Sequence, residues 1–152
     1  MSAAPESTAS AGEPPRPVQA VFAAARLARH LELALAGVEL TLPQLRLLIF
    51  LAERPGAAKQ LASRTQVRPP SLTALVDGLA QRGLVERKPD PDDGRKIQLV
   101  MTPAGESVLD AGVRACQTRL EHIADYHREA DAMDALSSWV GALDGWRAEN
   151  SP

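Results

Sequence analysis

The chain has 152 residues, 45 % of them apolar, with one cysteine and a formal net charge of −2. That length supports about one domain with a respectable core. A single thiol excludes an intrachain disulfide framework and fits a reducing cytoplasm, and no stretch approaches the roughly 18 uninterrupted apolar residues that span a bilayer. The small net charge hides an uneven distribution. From Arg54 to Lys96 nine Lys/Arg stand against five Asp/Glu, a surplus of four, which leaves −6 on the rest of the chain. A basic centre between acidic ends suits a polyanion-binding segment on a non-binding scaffold; an ordinary solvated charge distribution is the alternative.

Residues 1–17 are rich in Ala, Ser and Pro, with no basic start followed by an apolar run, and are expected to form a disordered tail rather than a signal peptide. Val18 to Ala36 reads as a helix, with Val21, Phe22, Ala25, Leu27, Leu31 and Leu35 on a broad apolar stripe and Gly37 as its stop. Thr41 to Glu53 reads as a second helix opened by a capping box of Thr41 and Gln44. Its Leu45, Leu48, Ile49 and Leu51 are expected in the core, and Pro55 and Gly56 end it. Ala58 to Thr65 forms a short third helix, and Gln66 to Pro69 a tight connection to a fourth, from Pro70 or Ser71 to Arg82. There Leu72, Leu75, Val76 and Leu79 share one narrow arc, while Pro70, Ala74, Asp77, Gly78 and Gln81 face away.

Leu84 to Lys88 and Lys96 to Thr102 carry β-branched or apolar residues with partial alternation. The turn formers Pro89, Pro91, Asp92, Asp93 and Gly94 lie between them, the pattern of a β-hairpin with a cationic tip. A hairpin directly after two short helices is a winged helix-turn-helix suited to duplex DNA, the helix from Ser71 being the right size for a major groove about 12 Å wide. Beyond it, Thr102 caps a helix beginning at Pro103 and running through Val108, Leu109, Val113, Cys116, Leu120 and Ile123. A last helix from about Arg128 to Trp146 places Met133, Leu136, Val140 and Leu143 beside Trp139 and Trp146. Both are too apolar for a small monomer that already has a core, so a partner surface is expected.

The order and spacing of Leu42-Pro43-Gln44-Leu45, Ala62 to Val67, Ser71 to Leu79, Arg82-Gly83-Leu84-Val85-Glu86-Arg87, Asp90 to Arg95 and Leu99 to Gly105 resemble the MarR family of bacterial transcription regulators. The similarity covers about Val18 to Trp146, and Asp93-Gly94-Arg95 matches the family's Asp-x-Arg wing signature. The resemblance implies a mainly α fold with a winged helix-turn-helix over 41–102, and dimerisation helices over 18–40 and 103–148 in a single domain from 18 to 152. It also implies a cytoplasmic homodimer that binds a pseudo-palindromic duplex and acts as a repressor released by a small aromatic or anionic effector. The recognition helix would enter the major groove and Arg95 the adjacent minor groove or its phosphates. Asp93, two residues away, would restrain Arg95 and share its charge; a local surface ion pair worth under about 1 kcal/mol is the alternative.

The expected DNA contacts are Arg68, Ser71, Thr73, Gln81, Arg87, Arg95 and Lys96. Base readout rests on Ser71, Thr73, Gln81 and Arg68, since Ala74 and Gly78 stand where relatives often carry Arg or Lys. Phosphate contacts from Arg68, Arg87, Arg95 and Lys96 are expected to supply much of the affinity. Gly78 costs about 1 kcal/mol inside a helix relative to alanine, which implies close approach of DNA backbone or of a neighbouring helix. A winged-helix interaction module without specific DNA binding is the competing function.

Other chemistry is thinly represented. Cys116 falls near an apolar face, as a core thiol does, although a redox sensor is the sharper alternative. His122, Asp125 and His127 are read as solvated histidines around a helix-capping Asp125 rather than a zinc site, because a five-residue spacing separates the two rings on a helix. Arg26 and His30 are candidates for contacting an anionic effector, or for interface packing. Catalytic motifs of the Gly-x-Ser-x-Gly, phosphate-loop and His-Glu-x-x-His types are missing. No enzyme activity, cofactor or metal is expected, and no membrane.

Overall fold

The computed structural model describes residues 15–53, 56–57, 69–91, 93–127 and 131–150. Within them the chain runs α1 (Arg16–Ala36), α2 (Leu42–Glu53), β1 (Gly56–Ala57), α3 (Pro69–Gln81), β2 (Val85–Pro89), β3 (Ile97–Met101), α4 (Pro103–His127) and α5 (Ala132–Asn150). Residues 1–14 of the tail expected over 1–17 and the short helix from Ala58 to Thr65 lie outside the described residues, while Arg16 and Pro17, expected in that tail, belong to α1.

Helix α1 begins two residues before the expected Val18, because Pro17 in the first turn gives up no hydrogen bond there. It ends at Ala36 with Gly37 as the C-cap, as expected. Gly37 is right-handed, with φ −68°, and the left-handed residue is Glu39, at φ 54°. The Leu40 N–H donates to the Leu35 carbonyl and the Glu39 N–H to the Ala36 carbonyl, at 3.1 and 3.3 Å. That is a Schellman ending with a non-glycine residue in the left-handed position. Helix α2 opens with the expected reciprocal cap: the Thr41 N–H donates to Gln44 Oε1 at 3.0 Å and the Gln44 N–H to Thr41 Oγ1 at 3.3 Å, an arrangement worth about 1 kcal/mol.

The sheet holds one strand more than a hairpin. Its order is β1-β3-β2, antiparallel throughout. The β2–β3 register pairs Val85 with Met101, Arg87 with Leu99 and Pro89 with Ile97. The two-residue β1, at Gly56 and Ala57, pairs with Gln98 and Leu99, covering the outer edge of β3.

The core joins Leu35 and Leu40, Leu45, Leu47, Leu48 and Leu51 of α2, Leu72, Val76 and Leu79 of α3, Leu84, Val85 and Leu99 at the base of the sheet, and Leu109 and Cys116 of α4. Leu47 is buried and Ile49 is 38 % exposed, the reverse of the sequence expectation for Ile49, because α2 turns a face centred between Leu45 and Leu48 to its neighbours. Gly112 lets α4 lie against this cluster: a β-carbon there would stand 3.1 Å from Leu40 Cδ1 and 3.3 Å from Leu35 Cδ2.

The apolar residues at the two ends of the chain take no part in this core. Val18, Val21 and Phe22 of α1 are exposed, as are Leu136, Trp139, Val140, Leu143 and Trp146 of α5. At 3.6 residues per turn the α5 set forms one stripe. Helix α5 begins four residues later than expected and continues to Asn150. Helix α4 runs unbroken through Asp125 to His127. Asp125 therefore lies inside the helix rather than at its end, where a cap would stand.

Candidate nucleic-acid interface

Helix α3 is anchored by what it buries. Leu72, Val76 and Leu79 are in the core and Leu75 is half-buried, which turns Ser71, Thr73, Ala74 and Gln81 to the outside, all exposed. Asp77 and Gly78 sit on the shoulder between. A β-carbon on Gly78 would meet only Gln44 Nε2, at 3.9 Å, an ordinary contact. Among the described residues no neighbouring helix therefore requires glycine there. Arg68, the remaining residue expected to touch DNA from this segment, lies outside the described residues.

The helix ends in a second Schellman motif, this time around a glycine. Gly83 takes φ 68°, the Leu84 N–H donates to the Leu79 carbonyl and the Gly83 N–H to the Ala80 carbonyl, both at 2.9 Å. The chain then turns directly into β2. At the same place Thr102 Oγ1 donates to the Gly83 carbonyl at 2.7 Å and accepts from the Gly105 N–H at 3.1 Å, while the Thr102 N–H donates to the Leu84 carbonyl at 3.1 Å. One buried hydroxyl thus joins the end of α3, the base of the sheet and the first turn of α4. Arg82 adds a tie to α1, its guanidinium donating to the Glu39 carbonyl at 2.7 Å.

The hairpin tip is a β-turn over Asp93–Lys96, closed by the Lys96 N–H donating to the Asp93 carbonyl at 2.8 Å, with the Asp90 N–H donating to the Lys96 carbonyl at 2.9 Å below it. Asp90 Oδ1 accepts from the Asp93 N–H and Asp93 Oδ1 from the Arg95 N–H, each at 3.2 Å. The Asp93 carboxylate therefore supports the wing through the Arg95 backbone. Its ion pair is with Lys96 Nζ, at 3.2 Å, and not with the Arg95 side chain as the sequence suggested: a carboxylate spent on the i+2 amide has its second oxygen toward residue i+3.

The four basic residues of the wing are consequently unequal. Lys88 pairs with Glu86 at 3.0 Å, Lys96 with Asp93, and Arg87 with Asp77 of α3 at 2.5 Å. Among the described residues the exposed Arg95 has no ion pair, and it stands at the turn itself. A delocalised, weakly hydrated cation that makes no ion pair among the described residues, at the end of a hairpin, is well made to enter a narrow electronegative groove.

Elsewhere, Cys116 is buried, and that burial raises its thiol pKa above the ordinary value, the opposite of what a reactive thiolate needs. Among the described residues the buried His30 Nδ1 on α1 has no hydrogen-bond partner. Among the described residues no group of His, Cys, Asp or Glu is arranged to hold a metal ion, and no helix is long and apolar enough to cross a membrane.

A helix presented beside a hairpin, both built onto longer flanking helices, is the winged helix-turn-helix architecture, and known proteins bear this out. A family model described as "MarR family" matches residues 38–96. The HTH-type transcriptional regulator Mb0904 of Mycobacterium bovis, itself uncharacterized, is 36 % identical over 128 residues, covering 80 % of this chain and 87 % of that one. The transcriptional repressor CouR, solved bound to a 23-mer DNA duplex, superposes with a TM-score of 0.71 at 27 % identity, over 86 % of this chain and 92 % of CouR. A probable transcriptional regulator from Pseudomonas aeruginosa superposes with a TM-score of 0.67, also at 27 % identity, over 84 % and 96 % of the two chains. The chain belongs to the MarR family of helix-turn-helix transcription regulators.

Sequence reasoning missed the ties that hold this site together: Arg82 to Glu39, Arg87 to Asp77, and Gly105 against Leu84. Gly83 followed by the apolar Leu84 was a legible Schellman signal. The two arginine partners join residues 43 and 10 positions apart and leave no periodic trace.

Proposed function

We propose that this regulator is a cytoplasmic homodimer that grips a pseudo-palindromic duplex, represses transcription there, and is released by a small aromatic or anionic effector. In this reading residues 41–102 form the DNA-binding part, and 18–40 with 103–148 the dimerisation part. Each α3 lies in a major groove with Ser71, Thr73, Gln81 and Arg68 toward it, while Arg95 and Lys96 reach the adjacent minor groove and its phosphates. The observation that carries the reading is Arg95, which has no ion pair among the described residues, at the tip of a hairpin whose other cations are all engaged. CouR, a repressor of the same fold bound to duplex DNA, supports the mode of contact. The exposed stripe of Leu136, Trp139, Val140, Leu143 and Trp146 supports the dimer. Arg26 and His30 are assigned to the effector, with the orphaned His30 Nδ1 as the supporting detail, since such an atom costs about 1 to 3 kcal/mol until it is partnered.

The test is selection of duplexes from a randomised pool by the purified protein, followed by a salt titration with a selected and an unrelated sequence. The selected duplex should bind at least about 1,000-fold more tightly, with half-sites one helical turn apart. Ala74 and Gly78 leave the middle of α3 without a reaching side chain, and this favours the alternative of an interaction module without base readout. Equal binding to both duplexes at every salt concentration selects that alternative.

A further inference from the structure

Arg87 is a basic residue next to a DNA-binding helix, and the simplest role for it is a phosphate contact. The geometry points elsewhere. We propose that Arg87 and Asp77 act together as a positioning pair that sets the wing against the recognition helix, an inference that rests on the DNA-binding function proposed above.

Three observations carry it. In the β2–β3 register Arg87 stands opposite Leu99, a residue 1 % exposed, and two residues after the buried Val85. Side chains alternate along a strand, so Arg87 lies on the inward face of the sheet, while Glu86 and Lys88 occupy the other face and pair with each other. The guanidinium is therefore directed over the seam between β2 and α3, where it meets Asp77 Oδ1 at 2.5 Å. Second, Asp77 is four residues from both Thr73 and Gln81, so the three form one row along the helix. Holding Asp77 from the wing fixes the rotation of the row that faces DNA. Third, an acid in that row would by itself repel a polyanion. Its ion pair with Arg87 makes the position electrically neutral, so that the row can approach phosphates.

The pair is about half exposed, at 43 % and 47 % of the two side chains, and its contribution to folding is correspondingly small. Its effect is on where the wing stands. Removing Asp77 then has a sign that separates the two roles. If Arg87 is a phosphate contact held back by an acid, Asp77→Ala deletes a negative charge, frees Arg87 and tightens binding. If the pair positions the wing, the same substitution weakens binding although the protein has become more basic.

The experiment uses the full-length protein and a duplex that the wild type has selected from a randomised pool. Affinity and its salt dependence are measured for Asp77→Ala, Arg87→Ala, the double alanine variant and the exchanged pair Asp77→Arg with Arg87→Asp, with urea unfolding as the control. Each single variant is expected to lose about tenfold in affinity, and the double variant no more than either single one, as coupled residues do. The salt slope should stay at its wild-type value, and the exchanged pair should recover most of the loss. Tighter binding by Asp77→Ala, a slope reduced by about 0.9 in Arg87→Ala, no change in either single variant, or failure of the exchanged pair to recover overturns the proposal. If the wild type selects no duplex at all, it is the DNA-binding function that fails first.

Discussion

A β-carbon on Gly105 would stand 2.1 Å from the carbonyl oxygen of Leu84 and 2.7 Å from Met101 Cγ. The obstructing atom is backbone, and that carbonyl already accepts the Thr102 N–H, so it has no freedom to withdraw. Gly105→Ala should cost about 3 kcal/mol or more, at the upper end for overpacked sites, in urea unfolding. Among the described residues Gly94 has nothing within 4 Å and its backbone is not left-handed, so Gly94→Ala should leave stability within about 0.5 kcal/mol. Similar midpoints for the two variants would show that the wing base and α4 do not meet as described.

Arg95→Ala should weaken binding to a selected duplex by about 1 to 3 kcal/mol if the side chain enters a groove edge. The melting temperature should hardly change, because the guanidinium is exposed and makes no ion pair among the described residues. Ser71→Ala should act instead on sequence preference, the hydroxyl being able to accept or donate at a base edge but carrying no charge. Unchanged affinity and salt slope in a correctly folded Arg95→Ala protein would leave recognition to α3 alone.

Both tryptophans of the chain lie on the exposed stripe of α5, Trp139 at 63 % and Trp146 at 60 %. In a dimer burying more than about 2,000 Å² they should emit as shielded indoles, with the emission moving to longer wavelength when Leu143→Arg, at the centre of the stripe, forces monomers in sedimentation. A wild-type monomer at micromolar concentration, with solvent-exposed tryptophan emission, would refute dimerisation through these helices.

Cys116 should resist iodoacetamide in the native protein by a factor on the order of 100 relative to urea-unfolded chain, since access requires local opening. Burial raises its folded-state pKa, so the native chain holds the thiol proton more tightly than the unfolded one. The resulting stabilisation is complete below the unfolded thiol pKa, about 8.5, and is lost as pH rises through the folded value. Cys116 should therefore contribute to a fall of the denaturation midpoint on the alkaline side, and Cys116→Ala should remove that part of the fall.

The elements were legible because their signals are local. The Thr41–Gln44 cap, the arc of Leu72, Val76 and Leu79, and the turn formers between two apolar flanks each show within a few residues, and each is found in the structure. Strand β1 was not legible: two residues carry no periodicity, and Gly56 reads equally well as a helix stop. Ile49 and Leu47 exchanged places because a nearly continuous run of apolar residues fits more than one helical face. At the site, the exposure of Ser71, Thr73 and Gln81 followed from the arc opposite them. The partners of the charged residues did not, since an aspartate two residues from an arginine can spend its oxygens on backbone instead, as Asp93 does.

The hydrogen bond from Arg82 to Glu39 fastens the recognition helix at its trailing end, next to the Schellman turn that closes α1. The opposite end, around Ser71, is the one that points away from this anchorage. A helix of this length is about 20 Å from end to end at 1.5 Å per residue, so pivoting it by about 10° at Arg82 swings its leading turn through some 3 to 4 Å. A displacement of that size exceeds a hydrogen-bond length. A pivot of about 10° at the Arg82 end is therefore enough, along the lever arm of α3, to separate a side chain that touches a base edge from one that misses it.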